Sequence, residues 1–274
     1  MKITIDGVRV SVDRLNQAKL DAIRARLADL LSQPPTRVKN RDAIAGAFAY
    51  GIELCPKINP SDLWHHVIYR EFVRTIKDFR RVTDPKQSWV RSSGDAFEIF
   101  LQDYYNARLA ADGVWLTALF STRESKDVLE GMGIHEEVGG SKLDLSIRTA
   151  TKIIGGIHAK ASLAERVSDD VPASLAMMRK GYLSALVTLD VKSFPPSMTV
   201  PDARAYQNRG ELGTPSAPSD KRKYIEDHGS FDLCISYNHR TVTSPSSTSS
   251  RKRISTVNLN GPSDALEDAI RAMI

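Results

Sequence analysis

The segment between residues 153 and 191 limits the fold most, because a strand, a helix and a second strand follow one another within it. Residues 183–191 form a nearly continuous apolar run, which is typical of a strand buried on both faces. Pro172 opens a predicted helix, and Gly181 closes it. Strand, helix and strand in this order predict a right-handed crossover within a central sheet.

Other segments supply helices and strands around this unit. Hydrophobic periodicity and breaker residues predict helices at 14–32, 40–53, from 60 onward and at 95–111, strands at 142–148, 153–161, 231–237 and 254–259, and loops at 212–223 and 243–253. We therefore expect an α/β fold with a central mixed β-sheet flanked by helices. Residues 1–90 are expected to be an N-terminal helical region and 91–274 the core, together forming one compact domain.

Composition excludes several classes of protein. The chain has 274 residues, of which 41% are hydrophobic and 26% charged, so it can bury a core. It has no apolar run near the roughly 18 residues of a membrane span, and its first residues lack a secretory signal. Two cysteines exclude a disulfide scaffold and a cysteine-rich zinc module. A net charge of +5 favours anionic partners weakly, and we expect a cytoplasmic protein.

An acid and a lysine lie on two strands that we expect to be neighbours. In residues 142–148 apolar side chains alternate with polar ones, and Asp144 is on the polar side. Residues 157–162 alternate in the same way, with Lys160 on the polar side. Adjacent strands would place Asp144 and Lys160 side by side, where they could bind a divalent metal and position an attacking water. A cross-strand ion pair without chemistry is the alternative.

Metal-dependent nucleases often carry a second acid two residues before this lysine, but here that residue is His158. Neutral imidazole is a poor ligand for Mg²⁺, so the missing acid must come from elsewhere. Asp169 and Asp170, near the start of the Pro172 helix, are candidates. Glu98 is another, because its neighbours are mostly apolar.

Each of these acids also has a structural explanation. Asp95 with Glu98, and Ser162 with Glu165, have the spacing of a helix capping box, and Asp169 and Asp170 could cap a helix. A literal Asp-x-Lys occurs again at residues 190–192. We prefer Lys160 to this second motif, because the aspartate there falls in the strand expected to be buried on both faces.

The segment Lys160-Ala161-Ser162-Leu163-Ala164-Glu165-Arg166 resembles a signature of the type II restriction endonucleases that recognise sites with a CCGG core. In that family a catalytic lysine precedes a segment that reads the GC base pairs. The active site is a variant of the PD-(D/E)xK nuclease, in which the second acid moves to a following helix. A histidine at position 158 and an upstream helical glutamate at position 98 agree with this variant, and a restriction-endonuclease-like sheet is implied.

The resemblance implies residue roles. Asp144 would hold Mg²⁺ with a relocated acid, for which Asp170 is preferred to Asp169, and Glu98 would support a second ion or a bound water. Lys160 would orient and help activate the attacking water. These four residues, Asp144, Asp170, Glu98 and Lys160, are the predicted catalytic set.

DNA contacts are predicted at Ser162, Glu165 and Arg166, since arginine pairs with guanine and a carboxylate accepts from cytosine. Arg240 is a further candidate. The resemblance also implies a palindrome with a CCGG core, ACCGGT being the candidate site, cut in both strands to leave 5′-phosphate staggered ends. A homodimer on double-stranded DNA and a cognate DNA methyltransferase are expected with it.

Two other functions stay open at this point. A sequence-specific DNA-binding protein would use the acids as caps and the lysine as a phosphate contact, and metal-dependent cleavage distinguishes it from a nuclease. A DNA repair nuclease of the same superfamily would prefer branched or damaged DNA to a short palindrome.

Overall fold

The computed structural model describes residues 1–5, 8–139, 142–163, 167–191, 208, 210–246 and 253–274. Within them the helices are α1 (Gln17–Ser32), α2 (Asn40–Leu54), α3 (Pro60–Asp62), α4 (Tyr69–Phe79), α5 (Pro85–Leu109), α6 (Thr122–Gly131), α7 (His135–Val138), α8 (Val167–Arg179), α9 (Asp220–Glu226) and α10 (Ala265–Arg271). A π-helical turn, Leu63–Ile68, joins α3 to α4, and a 3₁₀ turn, Ala110–Asp112, follows α5.

The strands are β1 (Lys2–Ile5), β2 (Val8–Ser11), β3 (Val114–Ala118), β4 (Leu145–Thr149), β5 (Ile153–Lys160), β6 (Leu183–Thr188), β7 (Gly213–Thr214), β8 (Ala217–Pro218), β9 (Leu233–Ser236) and β10 (Ile254–Thr256). A six-stranded sheet has the order β10-β9-β6-β5-β4-β3. Strands β3, β4 and β5 are antiparallel, whereas β5, β6, β9 and β10 run parallel. The predicted central mixed sheet is confirmed.

Strands β5 and β6 and the helix α8 between them form the expected crossover unit. The two strands are parallel neighbours, with Gly155 opposite Leu183, and all six residues of β6 are buried. A Cβ at Gly155 would lie 2.5 Å from the Leu183 carbonyl oxygen, so only glycine allows this close pairing. The helix begins at Val167, however, and Pro172 is inside it rather than at its start. The prediction that Pro172 opens the helix is wrong.

Helix α5 corrects a second prediction. It begins ten residues before the expected start at 95, because Asp84 caps the amides of Lys86 and Gln87 and Pro85 occupies the first turn. Asp95 and Glu98 therefore lie inside the helix, and the capping-box explanation for this pair is excluded. The helix ends near Gly113, as predicted, where a φ of 67° suits glycine.

Two further segments differ from the sequence expectation. Residues 212–223, predicted to be a loop, contain the β7–β8 hairpin and the start of α9, whose Ser219 side chain caps the helix. The N-terminal region is not purely helical, because the β1–β2 hairpin precedes α1. The predicted loop at 243–253 lies partly outside the described residues.

One large hydrophobic core joins the N-terminal helices to the sheet. It contains Ile23 of α1, Phe48 of α2 and Phe97 of α5 together with Ile157 of β5 and Ile235 of β9. The predicted boundary at residue 90 falls inside α5. The division into 1–90 and 91–274 stays a prediction, and the shared core supports treating both parts as one folding unit. None of the described helices is long and apolar enough to cross a membrane.

Candidate active site

The candidate site lies at one edge of the six-stranded sheet. Strand β3 ends at this edge, β4 begins there, and the parallel strands β5, β6 and β9 end there. Asp144 immediately precedes β4, and Lys160 is the last residue of β5. Side chains that are far apart in sequence therefore meet here.

Asp144 is fixed by contacts to β5. The Ala159 amide donates a hydrogen bond to Asp144 Oδ2 (2.8 Å), and Lys160 Nζ donates to the same oxygen (3.1 Å). Both side chains are mostly buried, with 15% of Asp144 and 13% of Lys160 exposed. The expectation that these two residues lie side by side is met, although Asp144 lies just before β4 rather than within it.

Asp170 approaches the same lysine from helix α8. Its Oδ2 lies 3.3 Å from Lys160 Nζ, so that the ammonium sits between the carboxylates of Asp144 and Asp170. Burial alone would lower the pKa of Lys160, but the two carboxylates raise it above its usual value. Lys160 is therefore a permanent cation at neutral pH. Asp169, the other candidate for the relocated acid, is exposed.

His158 lies beside Asp170. The imidazole is fully buried, with its Nδ1 3.5 Å from Asp170 Oδ1 and its ring edge-on to Phe231. Burial acts to raise the pKa of Asp170, but His158 and Lys160 outweigh burial and hold it below the usual value. The carboxylate of Asp170 on α8 thus lies near the position that an acidic side chain at residue 158 of β5 would occupy.

Glu98 reaches the site from α5 and is buried. Burial, together with the neighbouring carboxylates of Asp144 and Asp95, raises the pKa of Glu98 to about 9, while Lys160 and Arg41 act in the opposite direction. A carboxyl group whose pKa is raised by burial and by neighbouring acids is typical of functional sites. Glu98 is thereby linked electrostatically to the Asp144–Lys160 pair.

The donor set suits a hard divalent cation. Asp144, Asp170 and Glu98 offer carboxylate oxygens, which Mg²⁺ prefers. Asp170 Oδ2 is buried and accepts no hydrogen bond within the described part of the chain. The described residues contain no cluster of three or more His, Cys, Asp or Glu side chains already arranged around a metal position. The residues therefore fit a divalent cation by the chemistry of their oxygen donors. The Lys160 ammonium occupies the space between Asp144 and Asp170.

The segment after Lys160 is held by residues that the sequence analysis did not identify. The Ser162 hydroxyl donates to Glu211 Oε1 (2.8 Å), and the other carboxylate oxygen of Glu211 pairs with Lys221. These contacts span 49 and 10 residues, and no local pattern in the sequence indicates them. Glu165 and Arg166, the predicted base-reading pair, lie outside the described residues.

Arg240 lies farther along the same edge, after β9. Its guanidinium makes two hydrogen bonds of 2.7 Å to the carboxylate oxygens of Asp62, which is buried. This bidentate pair joins the C-terminal part of the sheet to helix α3. A DNA contact by Arg240 stays a prediction, and such a contact would have to compete with Asp62.

Asp190 of the second Asp-x-Lys sequence has a different use. It follows β6 with a φ of 47°, and its carboxylate accepts hydrogen bonds from the Glu211 amide (2.6 Å) and the Thr241 hydroxyl (2.6 Å). The residue is fully buried, as expected, but it lies just beyond the strand rather than within it. Lys192 lies outside the described residues.

Comparisons with known proteins define the class. A family model described as BsaWI restriction endonuclease type 2 matches residues 122–259. The type II restriction enzyme AgeI of Thalassovita gelatinovora is 46% identical over 275 residues, covering 97% of this chain and 95% of that protein. The crystal structure of an AgeI–DNA complex superposes with a TM-score of 0.88 at 44% identity, covering 100% of this chain and 99% of that one.

The sheet and helices are therefore those of a type II restriction endonuclease, a site-specific deoxyribonuclease. The chain belongs to the BsaWI restriction endonuclease type 2 family. The fold class and the enzyme class predicted from the sequence are confirmed. Enzymes of this class generally need a divalent metal ion, and the donor set described above suits one.

Proposed function

We propose that this protein is a Mg²⁺-dependent endonuclease that hydrolyses both strands of double-stranded DNA at a palindrome with a CCGG core. ACCGGT is the full site that we expect it to cut, leaving 5′-phosphate staggered ends. One observation supports this proposal most. The Lys160 ammonium lies between the carboxylates of Asp144 and Asp170 at the edge of the sheet, in a chain that belongs to a restriction endonuclease family.

Asp144 and Asp170 would hold the ion, and Glu98 would support a second ion or a bound water. The bound ion would lower the pKa of the attacking water and stabilise negative charge on the scissile phosphate. The Ala159 amide fixes one oxygen of Asp144 in advance, and His158 Nδ1 lies 3.5 Å from one oxygen of Asp170.

Lys160 would act as a cation rather than as a base. Since its neighbours raise its pKa, it cannot take a proton from water at neutral pH. Its ammonium instead orients the attacking water through a hydrogen bond and stabilises charge that develops on the phosphate.

Recognition would come from the segment that follows Lys160. Arg166 suits the O6 and N7 atoms of guanine, Glu165 suits the N4 amino group of cytosine, and Ser162 lies next to them in the chain. A palindromic site calls for two subunits related by a two-fold axis, each cutting one strand, so we propose a homodimer on DNA. A methyltransferase of the same specificity would protect the host DNA.

A cleavage assay tests the proposal. Plasmids carrying a CCGG core with each flanking base pair are incubated with the protein, with Mg²⁺ and with EDTA. We expect discrete, metal-dependent cutting at one flanked CCGG site. Asp144→Ala should abolish cutting and retain binding to the same duplex, whereas Asp103→Asn, an exposed acid on α5, should cut like the wild type.

The alternative functions give different results. Binding to a defined duplex without metal-dependent cutting would replace the proposal by a non-cleaving DNA-binding protein. Preference for branched or damaged DNA over every CCGG plasmid would replace it by a repair nuclease. Normal cutting by Asp144→Ala would contradict the assignment of the active site.

A further inference from the structure

A basic cleft of about 300 Å³ opens beside the candidate active site. Its lining includes Lys39 and Arg41 at the start of α2 and Arg91 and Asp95 on α5. Asp95 is one helical turn before Glu98, so one wall of the cleft and this acid of the site share helix α5. The mechanism proposed above gives these basic residues no role.

The position of the cleft relative to the catalytic lysine follows from the strand order. The Arg41 guanidinium lies over the ring of Phe120, 3.8 Å from the ring centre, just beyond the end of β3. The backbone amide of Leu119, the residue before Phe120, donates a hydrogen bond to the carbonyl oxygen of Asp144 (2.9 Å). Along the sheet edge the order is therefore Arg41 with Phe120, then Asp144, then Lys160, and then Ser162 with Glu211. The cleft and Ser162 therefore lie on opposite sides of Asp144 and Lys160.

The charges of the cleft are only partly neutralised. Arg41 pairs with Asp95 (2.9 Å) and lies 3.8 Å from Asp42. Lys39 and Arg91 are exposed, and neither forms an ion pair with another described residue. Two cations thus face solvent within the same cleft as Arg41, without carboxylates to balance them.

We propose that this cleft binds a backbone phosphate of the DNA strand being cut, on the side of the scissile phosphate opposite to the recognition segment. Lys39 and Arg91 make the contact, and Arg41 forms the wall between the cleft and the catalytic acids. This inference rests on the proposed function, because it assumes that DNA lies along this edge of the sheet. A phosphate here places the strand over Lys160 without reading its sequence.

The salt dependence of DNA binding tests the cleft. Affinity for a cognate and a non-cognate duplex is measured without Mg²⁺ over a range of salt concentrations, for the wild type, Lys39→Gln, Arg91→Gln and the double variant. Because both side chains contact one phosphate, the double variant Lys39→Gln/Arg91→Gln should lower the magnitude of the slope of log K against log salt by about 0.9, and each single variant should lower it by part of that amount. The loss of affinity should be equal for the two duplexes, since phosphates carry no sequence information.

Arg26→Gln is the matched control, because it removes the same charge from an exposed arginine on α1 that does not line the cleft. It should leave the slope unchanged. A second measurement replaces single phosphates near the cut by neutral methylphosphonates. Neutralising one position should weaken DNA binding by the wild type and have no further effect on the double variant Lys39→Gln/Arg91→Gln.

Slopes that match the Arg26→Gln control, or a loss confined to the cognate duplex, would overturn the cleft as a phosphate site. In either case a wild-type enzyme that still cuts CCGG plasmids would leave the proposed function in place. A wild type that neither binds nor cuts DNA would instead refute the proposed function, and the cleft with it.

Discussion

Glu98 should destabilise the metal-free fold in a way that a glutamine would not. The carboxyl is buried beside Asp144 and Asp95, and its pKa rises from 4.5 to about 9 on folding. Between these values the unfolded chain has lost a proton that the folded chain keeps, so stability is highest below pH 4.5 and falls as the pH rises towards 9. At about 1.4 kcal/mol per pKa unit, the loss accumulated by pH 7 is about 3 kcal/mol.

Glu98→Gln has nearly the shape of the protonated acid and has no proton to lose. We expect the variant to be more stable than the wild type at pH 7 in EDTA by up to about 3 kcal/mol, with an advantage that grows by about 1.4 kcal/mol per pH unit. Urea unfolding at several pH values between 5 and 8 measures this difference. The same variant should lose metal-dependent cleavage, because it lacks the carboxylate.

Glu130→Gln is the control for this measurement, since Glu130 is an exposed residue on α6 and should show almost no pH-dependent difference. An advantage of Glu98→Gln that does not change with pH would refute the electrostatic reasoning. A variant that is less stable than the wild type throughout would refute it equally.

Two further predictions concern the fold. Gly155→Ala should destabilise the sheet by about 1–3 kcal/mol in urea unfolding, because the new Cβ would lie 2.5 Å from the Leu183 carbonyl oxygen. Gly94→Ala, whose Cβ meets nothing within 4 Å in the helix α5, should instead be stabilising by about 0.5–1 kcal/mol, and equal effects of the two alanines would contradict both arguments. Asp62→Asn should lower the Tm, with a loss of about 1–3 kcal/mol, since it removes charge-assisted hydrogen bonds from Arg240, whose side chain keeps partial access to solvent; a Tm equal to that of the wild type would show that the pair contributes nothing.

The pairing of Asp144 with Lys160 was predictable because it depends on local patterns. Side chains alternate along a strand with a period of two, and two strands close in sequence pair readily. The segment from 142 to 162 contains both strands and the turn between them. The alternation of polar residues along this segment is therefore enough to predict that Asp144 and Lys160 meet.

Contacts between distant segments could not be predicted in this way. Arg41 meets Asp95 across 54 residues, and Ser162 meets Glu211 across 49. Neither pair has a spacing or motif that marks it, because each depends on how α2 and the residues after 208 pack against the sheet. The resemblance to a known family indicated Glu98 and Asp170, and the residues alone offered them only as candidates.

Errors in the element boundaries came from competing signals. Gly94 and Asp95 suggested a helix start, but Asp84 and Pro85 supply a stronger one upstream, and a glycine within a helix costs only about 1 kcal/mol. The Pro- and Ser-rich composition of residues 212–223 concealed a short helix that Ser219 caps. Composition therefore predicted a loop where one capping residue was enough to start a helix.

The position of Lys160 between Asp144 and Asp170 has a consequence for the charge of the site when no DNA is bound. Two carboxylates and one ammonium leave a single uncompensated negative charge, which is a weak attraction for a dication. If the proposed site is correct, a DNA phosphate entering it would add a second negative charge, and the affinities for the cation and for DNA would rise together and by the same factor. Lys160 would thus act as an internal counter-ion, and a divalent cation would bind tightly only when a DNA strand is also bound.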